Sequence, residues 1–274
     1  MLASKRAHQT LPAVMWLLSA LASLDLQAHE FWIEPIRFEI TTGDVLQAHV
    51  RVGQEMRGDS LHYIPQRFEV FNLTAADATR PVQSRTGDNP AVNEIVQDNG
   101  LHVLSYVSTD SQLTYSDPET FENFLKHEGI EWVRAAHQKR GLPAQGFKEA
   151  YQRFVKSLVK VGDGEGGDRA LGLEFELVVE TNPYTDPTAD IAVQLLWRGK
   201  PFPQAHVNVF RRHDREVSKT HFKTDAEGRI RIPRQGAPGV YLLNAVHMIQ
   251  PASNDEGIVW KSLWASTTFE LRGL

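Results

Sequence analysis

The residues in this chain best suited to chemistry cluster at Leu26-Gln27-Ala28-His29-Glu30-Phe31-Trp32-Ile33-Glu34-Pro35. Cleavage after Ala28 gives His29 a free α-amine beside its imidazole. Two nitrogen donors on one residue chelate a transition-metal ion without any fold to arrange them. An α-amine with a pKa near ~8 yields its proton to a metal far more readily than a lysine does. Cleavage after Ala22, where Ala20-Leu21-Ala22 fits the small-x-small rule, would add six residues and remove that amine from the histidine.

His247 is the second expected ligand. On an extended strand it shares a face with Tyr241, Leu243 and Ala245, where the strand runs out towards Gln250-Pro251. Strand ends and the loops beyond them are where a β-sandwich usually places a site. If His29 and His247 share an ion, the first strand must lie beside the exit of that strand. His49 and His102 are weaker candidates at polar-facing strand positions, where a solvated or cross-strand histidine is the commoner outcome. Glu30 and Glu34 alternate with Phe31 and Ile33 and read first as a solvent face. Glu30 is also a candidate oxygen ligand, or a partner fixing an imidazole tautomer. No histidine pair has the i, i+4 spacing of a helical zinc motif, and His127 and His137 lie ten apart. His206, His213 and His221 crowd the C-terminal half without supporting partners. Any site must be assembled from distant segments.

The elements that would position these groups begin with an export signal. Lys5 and Arg6 precede an apolar run, Leu11 to Leu24, and a short polar stretch ends at Ala28. A run of 14 residues is too short to span a bilayer as a helix. Removing 28 of 274 residues leaves 246, and losing Lys5, Arg6 and Asp25 moves the formal charge from -5 to -6. The expected product is periplasmic, with no transmembrane anchor. No basic patch with interleaved aromatics points to nucleic acid. With no cysteine in the chain, thiolate sites and a cysteine nucleophile are excluded. Ligands must come from His, Asp, Glu, Met or the terminus, a set that suits divalent Ni, Co, Cu or Zn, with Ni, Co or Cu the expected ion.

Short alternating runs at 45–52, 67–73, 101–107, 173–179, 191–197, 206–210, 230–232, 239–247 and 267–271 predict strands separated by turns. Thr224-Asp225-Ala226-Glu227-Gly228-Arg229 reads as a hairpin turn. Between the two β-rich stretches, Asp117 and Pro118 open a helix that Gly129 ends, and a second runs from Glu131 to Lys139. A third is predicted over 147–159, with Phe147, Tyr151, Phe154, Val155 and Leu158 on one face. Val161-Gly162-Asp163-Gly164-Glu165-Gly166-Gly167-Asp168 follows as an acidic linker. The expected class is mainly β, with two β-sandwich (immunoglobulin- or prealbumin-like) domains and a helical insertion between them. The boundaries are 1–28 for the signal, 29–116, 117–168 for the insertion, and 169–274.

Six motifs carry a resemblance. They are Ala28-His29-Glu30-Phe31-Trp32-Ile33-Glu34-Pro35, the 151–159 segment Tyr151-Gln152-Arg153-Phe154-Val155-Lys156-Ser157-Leu158-Val159, Leu196-Trp197-Arg198-Gly199-Lys200-Pro201, the 224–229 turn, Val246-His247-Met248, and the 260–267 segment from Trp260 to Thr267. In these the chain resembles the DUF4198 family of exported bacterial proteins, also described as a periplasmic component of cobalt or nickel uptake. The resemblance implies a metal-handling periplasmic protein with a membrane uptake transporter as partner. The competing expectation is a non-catalytic structural or carbohydrate-contacting sandwich, because the 224–229 turn resembles one found in accessory domains of surface proteins. An enzyme is not expected, since neither a Gly-x-Ser-x-Gly elbow nor a His-Glu-x-x-His motif occurs.

Overall fold

The computed structural model describes residues 29–76, 78–234, 238–252 and 257–273, so the expected signal and its cleavage point lie outside the described residues. Alternating residues form β1 (Glu30–Pro35), β2 (Glu39–Ile40), β3 (Val45–Gln54) and β4 (Arg57–Leu61). Next come β5 (Phe68–Ala75), β6 (Ala78–Pro81), β7 (Val92–Ile95), β8 (Gly100–Ser108) and β9 (Ser111–Tyr115). Helices α1 (Pro118–Glu128) and α2 (Trp132–Lys139) precede the 15-residue β10 (Phe147–Val161). The chain continues as β11 (Phe175–Val179), β12 (Ile191–Trp197), β13 (Lys200–Pro201) and β14 (His206–His213). It ends with β15 (Glu216–Lys223), β16 (Arg229–Ile232), β17 (Gly239–Ile249) and β18 (Ile258–Leu271).

The protein is mainly β, and the described strands form three sheets. The largest has ten strands, in the order β15-β14-β17-β18-β10-β8-β5-β6, with β2 and β9 also paired to β10. β10 pairs antiparallel with β8 and β9 and parallel with β18 and β2. One face of this sheet packs Phe154, Leu158, Leu243 and Leu263 against Leu177, Val193 and Ile230 of the β11-β12-β13-β16 sheet. On the other face, Leu104, Val155 and Val159 meet Ile33, Leu46 and Val50 of the β1-β3-β4-β7 sheet. Beside that second layer, α1 and α2 bury Phe121, Leu125 and Val133 against Phe147, Tyr151, Val246 and Trp264.

The segment expected as a third helix is therefore a strand. Its apolar residues do recur at helical spacing, but because β10 is buried on both faces they occupy both parities. Val155 and Val159 lie on one side, Phe154 and Leu158 on the other. A strand covered twice loses its period-2 signature and mimics a helical stripe. The opposing signal was its β-branched content, Val155, Val159 and Val161, which favours extended backbone. The 224–229 turn also needs correction. Its backbone closes through Asp225, with Gly228 N–H on Asp225 O at 3.1 Å. Its flanks do not form a hairpin, because β15 pairs with β14 and β16 pairs with β12 in a different sheet.

Double burial makes the polar groups in the middle of β10 depend on partners within the protein. Glu149 is fully buried and accepts hydrogen bonds from the Tyr115 hydroxyl at 2.9 Å and from the Ser262 hydroxyl. Loss of solvent pushes its carboxyl up to about 7, against the lowering effect of those two donors. The folded pKa lies above the ordinary value of 4.5, so this contribution to stability is complete below 4.5 and is lost as pH rises through about 7. Glu149→Gln is expected to flatten that part of the stability–pH curve and to stabilise by about 1–3 kcal/mol on its alkaline side, measured by urea unfolding at several pH values. Leu158→Ala, at a site with no solvent exposure, should cost ~2–5 kcal/mol in the same assay.

Candidate metal centre

Helix α1 delivers two side chains of the candidate centre. Asp117 caps it by accepting the Thr120 N–H at 3.0 Å, and Pro118 takes the first position. Gly129 ends it at φ 67°, with its N–H returned to the last-turn carbonyls. A side chain at 129 would also collide with the His206 ring, since a Cβ there would lie 2.3 Å from Cγ. The helix therefore stops with His127 and Glu128 in its last turn, where the backbone dipole favours positive charge. Their partner is Glu30, the first residue of β1.

One ligand atom from each of Glu30, His127 and Glu128 falls within 4.8 Å of the others. His127 Nε2 is 3.1 Å from Glu30 Oε1 and 3.7 Å from Glu128 Oε1. Glu128 Oε2 accepts from Asn244 Nδ2 at 2.9 Å and Asn208 Nδ2 at 3.2 Å, which fixes its plane. The remaining oxygen of Glu30, Oε2, is buried with no hydrogen-bond partner, although the residue is only 1% exposed. Lys219 Nζ approaches from outside, donating to the His127 carbonyl at 3.3 Å. A cleft of about 110 Å³ opens onto the group, lined by His29 and Glu30 together with Tyr115, Phe124, His127 and Glu128.

Burial and close neighbours shift the charges of this group. Burial and the neighbouring Glu30 carboxylate push Glu128 up to about 7. The hydrogen bond to Glu30 raises His127, and Glu128 adds to it. Two carboxylates face one imidazole, and the Lys219 ammonium, 3.4 Å from His127 Nε2, lies at their outer edge as a second positive charge. Glu34, by contrast, is committed. Burial raises its carboxyl, but Arg212 at 2.5 Å and Arg51 at 2.7 Å outweigh that and hold it low. The arrangement offers one imidazole nitrogen and several carboxylate oxygens to a divalent ion, with His29 at the rim.

The expected His29–His247 pair is not brought together. His247 does share a face with Tyr241, Leu243 and Ala245, but that face meets the β11-β12 sheet. Its ring packs on Trp197, Phe202 and Phe175, with centroids 4.6, 4.5 and 5.9 Å away. Asn244, one parity over, is the β17 residue that reaches Glu128. His247 therefore lies across the sheet from the cleft, and burial, with Arg198 adding to it, pushes its pKa down to about 4. His49 is also elsewhere, bonded to Ser60 Oγ and Asn89 Oδ1 at 2.9 Å each. His102 is buried rather than solvated. Its Nδ1 lies 3.2 Å from Gly100 O, and burial lowers its pKa. Of the sequence candidates, only His29 and Glu30 line the cleft. His127 and Glu128 were missed, because nothing in their spacing relates a helix end to a residue 97 positions away. The one available signal was a His-Glu pair immediately before a helix-ending glycine.

No curated protein sequence matches the chain. Among solved structures, it is similar to a tetra-tandem repeat from the extending region of a large adhesion protein, at 10% identity and a TM-score of 0.23. That match covers 89% of this chain, which spans 50% of the other's length. The D0-D1 domain of intimin matches at 11% identity and a TM-score of 0.21, over 86% of this chain and 96% of that one. Likenesses this distant carry no argument about fold or function. The family model for DUF4198, a domain of unknown function, matches residues 26–249, and the chain belongs to that family.

Proposed function

We propose that this protein is an exported, periplasmic binder of a divalent transition metal, Ni, Co or Cu, and that it serves metal uptake through a membrane transporter. The observation that carries the reading is the buried, unpartnered Glu30 Oε2 beside His127 and Glu128. A desolvated carboxylate oxygen without a donor is costly unless a cation completes it. Glu30, His127 and Glu128 would hold the ion. His29, freed at its amine by cleavage after Ala28, would add nitrogen donors at the rim, a mixed set that suits borderline divalent metals. The role is binding rather than catalysis. The protein is further read as two sandwiches built on the shared ten-stranded sheet, with α1 and α2 as the insertion that completes the site.

The exported protein is expected to bind one equivalent of Ni(II), Co(II) or Cu(II) in isothermal titration calorimetry. His127→Ala and Glu30→Gln should each weaken it roughly tenfold or more, the loss of at least ~1.4 kcal/mol. His247→Ala, across the sheet, should leave the affinity unchanged. Equal loss from His247→Ala, or no loss from His127→Ala, would sink the assignment.

The ion competes with protons on the same atoms. Glu128, held up to about 7, must be ionised and the raised His127 must be neutral before either can ligate. Affinity should therefore climb as pH rises through about 7 and collapse below it. A pH-independent affinity across that range would place the ion somewhere else.

A further inference from the structure

A second buried cluster, independent of the metal reading, lies where β10 meets the acidic loop and β11. Lys156, Asp168 and Glu176 have side chains no more than 1% exposed. Lys156 Nζ is 2.6 Å from Asp168 Oδ1 and 3.1 Å from Glu176 Oε1, and donates to the Arg169 carbonyl at 3.1 Å. The 163–168 segment, which sequence suggests is only a linker, is thus anchored in the interior by its last residue. Asp168 Oδ2 accepts the Val179 N–H at 2.8 Å, and Oδ1 accepts the Arg169 N–H at 2.9 Å. Glu176 is held by the N–H groups of Leu171 and Leu173 at 2.8 and 3.2 Å.

One lysine and two carboxylates in a dry interior are an expensive way to build an ion pair. The geometry suits a covalent reaction better. We infer that Lys156 and Asp168 join through an intramolecular amide bond, with Glu176 as the proton-transfer catalyst.

The step balances without any co-reactant. The ammonium first passes one proton to the Asp168 carboxylate that it touches at 2.6 Å. Desolvation raises the Asp168 carboxyl, which favours that transfer. The free amine then attacks Cγ, forming the Nζ–Cγ bond. Charge gathers on Oδ2, where the Val179 N–H already points, in the manner of an oxyanion hole. Glu176 takes the second proton from the nitrogen and passes it to the departing Oδ1. The Cγ–Oδ1 bond breaks, one water leaves, and Glu176 returns to its starting state. Nothing is oxidised or reduced. Proximity supplies what a condensation in water lacks, because both reactants are held in contact and bulk water is excluded.

The test is peptide mass analysis of the full chain after trypsin. The amide stops cleavage at Lys156, so residues 154–160 should appear joined to residues 161–169 as one branched species, lighter than the sum of its parts by one water. Asp168→Asn should converge on the identical product by expelling ammonia instead. Glu176→Gln should leave the peptides unlinked while the circular dichroism spectrum stays that of the folded protein. Lys156→Arg should abolish the link outright. Unlinked peptides of full mass from the wild-type chain would overturn the inference. So would loss of water confined to residues 161–169, which reports succinimide formation at Asp163-Gly164. A linked peptide that persists in Glu176→Gln would remove Glu176 from its assigned role.

Discussion

Everything in this molecule depends on β10 having no wet face. Between Lys148 and Lys160 the strand lies inside a ten-stranded sheet with further layers packed on each side, so water does not reach the groups it carries there. Its apolar residues fill three separate cores. Phe154 and Leu158 serve one, Val155 and Val159 the second, Phe147 and Tyr151 the third. Its polar residues must then be matched one by one, because an unmatched polar group in such a place costs more than most side chains can return. Glu149 meets two hydroxyls, Lys156 meets two carboxylates, and Ser157 meets Thr268 at 2.8 Å. Arg153 lies over the rings of Tyr151 and Phe31, 4.5 and 5.2 Å from their centroids.

The geometry of the Glu30, His127 and Glu128 cluster follows from this frame. β1 lies against the central sheet, with Ser266 and Thr268 donating to its Phe31 and Ile33 carbonyls. That contact places Glu30 at the rim of the second layer. On the same side, the helical cluster seats α1 on Tyr151, Val246 and Trp264, so the helix end faces Glu30. Asn208 and Asn244, from adjacent strands of the sheet, reach up to orient Glu128. Rigid elements therefore hold Glu30, His127 and Glu128, and their closeness is imposed by packing.

Local chemistry was legible in the sequence wherever one residue type governs one backbone event. Asp117, Pro118 and Gly129 bound α1 as their cap preferences require, and β12 spans Ile191–Trp197 as alternation predicts. Layering was not legible. β10 read as a helix because burial on both faces erases the alternation that marks a half-buried strand. The last strand read as 267–271, whereas β18 begins at Ile258, since Lys261 and Ser262 interrupt its apolar pattern while Lys261 reaches out to Asp110 at 2.8 Å. Half of the site was named, His29 and Glu30, because their chemistry is local to the chain start. The face of His247 was also read correctly, and that face is what separates it from the cleft. His127 escaped because its role exists only once β1 and α1 are packed together.

The position of β18 has a consequence for how the molecule comes into being. The last strand of the chain lies between β17 and β10, where it joins the C-terminal hairpins to the N-terminal strands. A chain synthesised amino end first presents its other described strands while this seam is still missing. Until Ile258–Leu271 arrives, the two halves of the large sheet have no main-chain ladder between them, and the flank of β10 that will receive it stays open. Exposed strand flanks of this kind recruit foreign strands. The interval between the appearance of β10 and that of β18 is thus the period in which the nascent protein is most open to mispairing, and delivery of the final strand closes it.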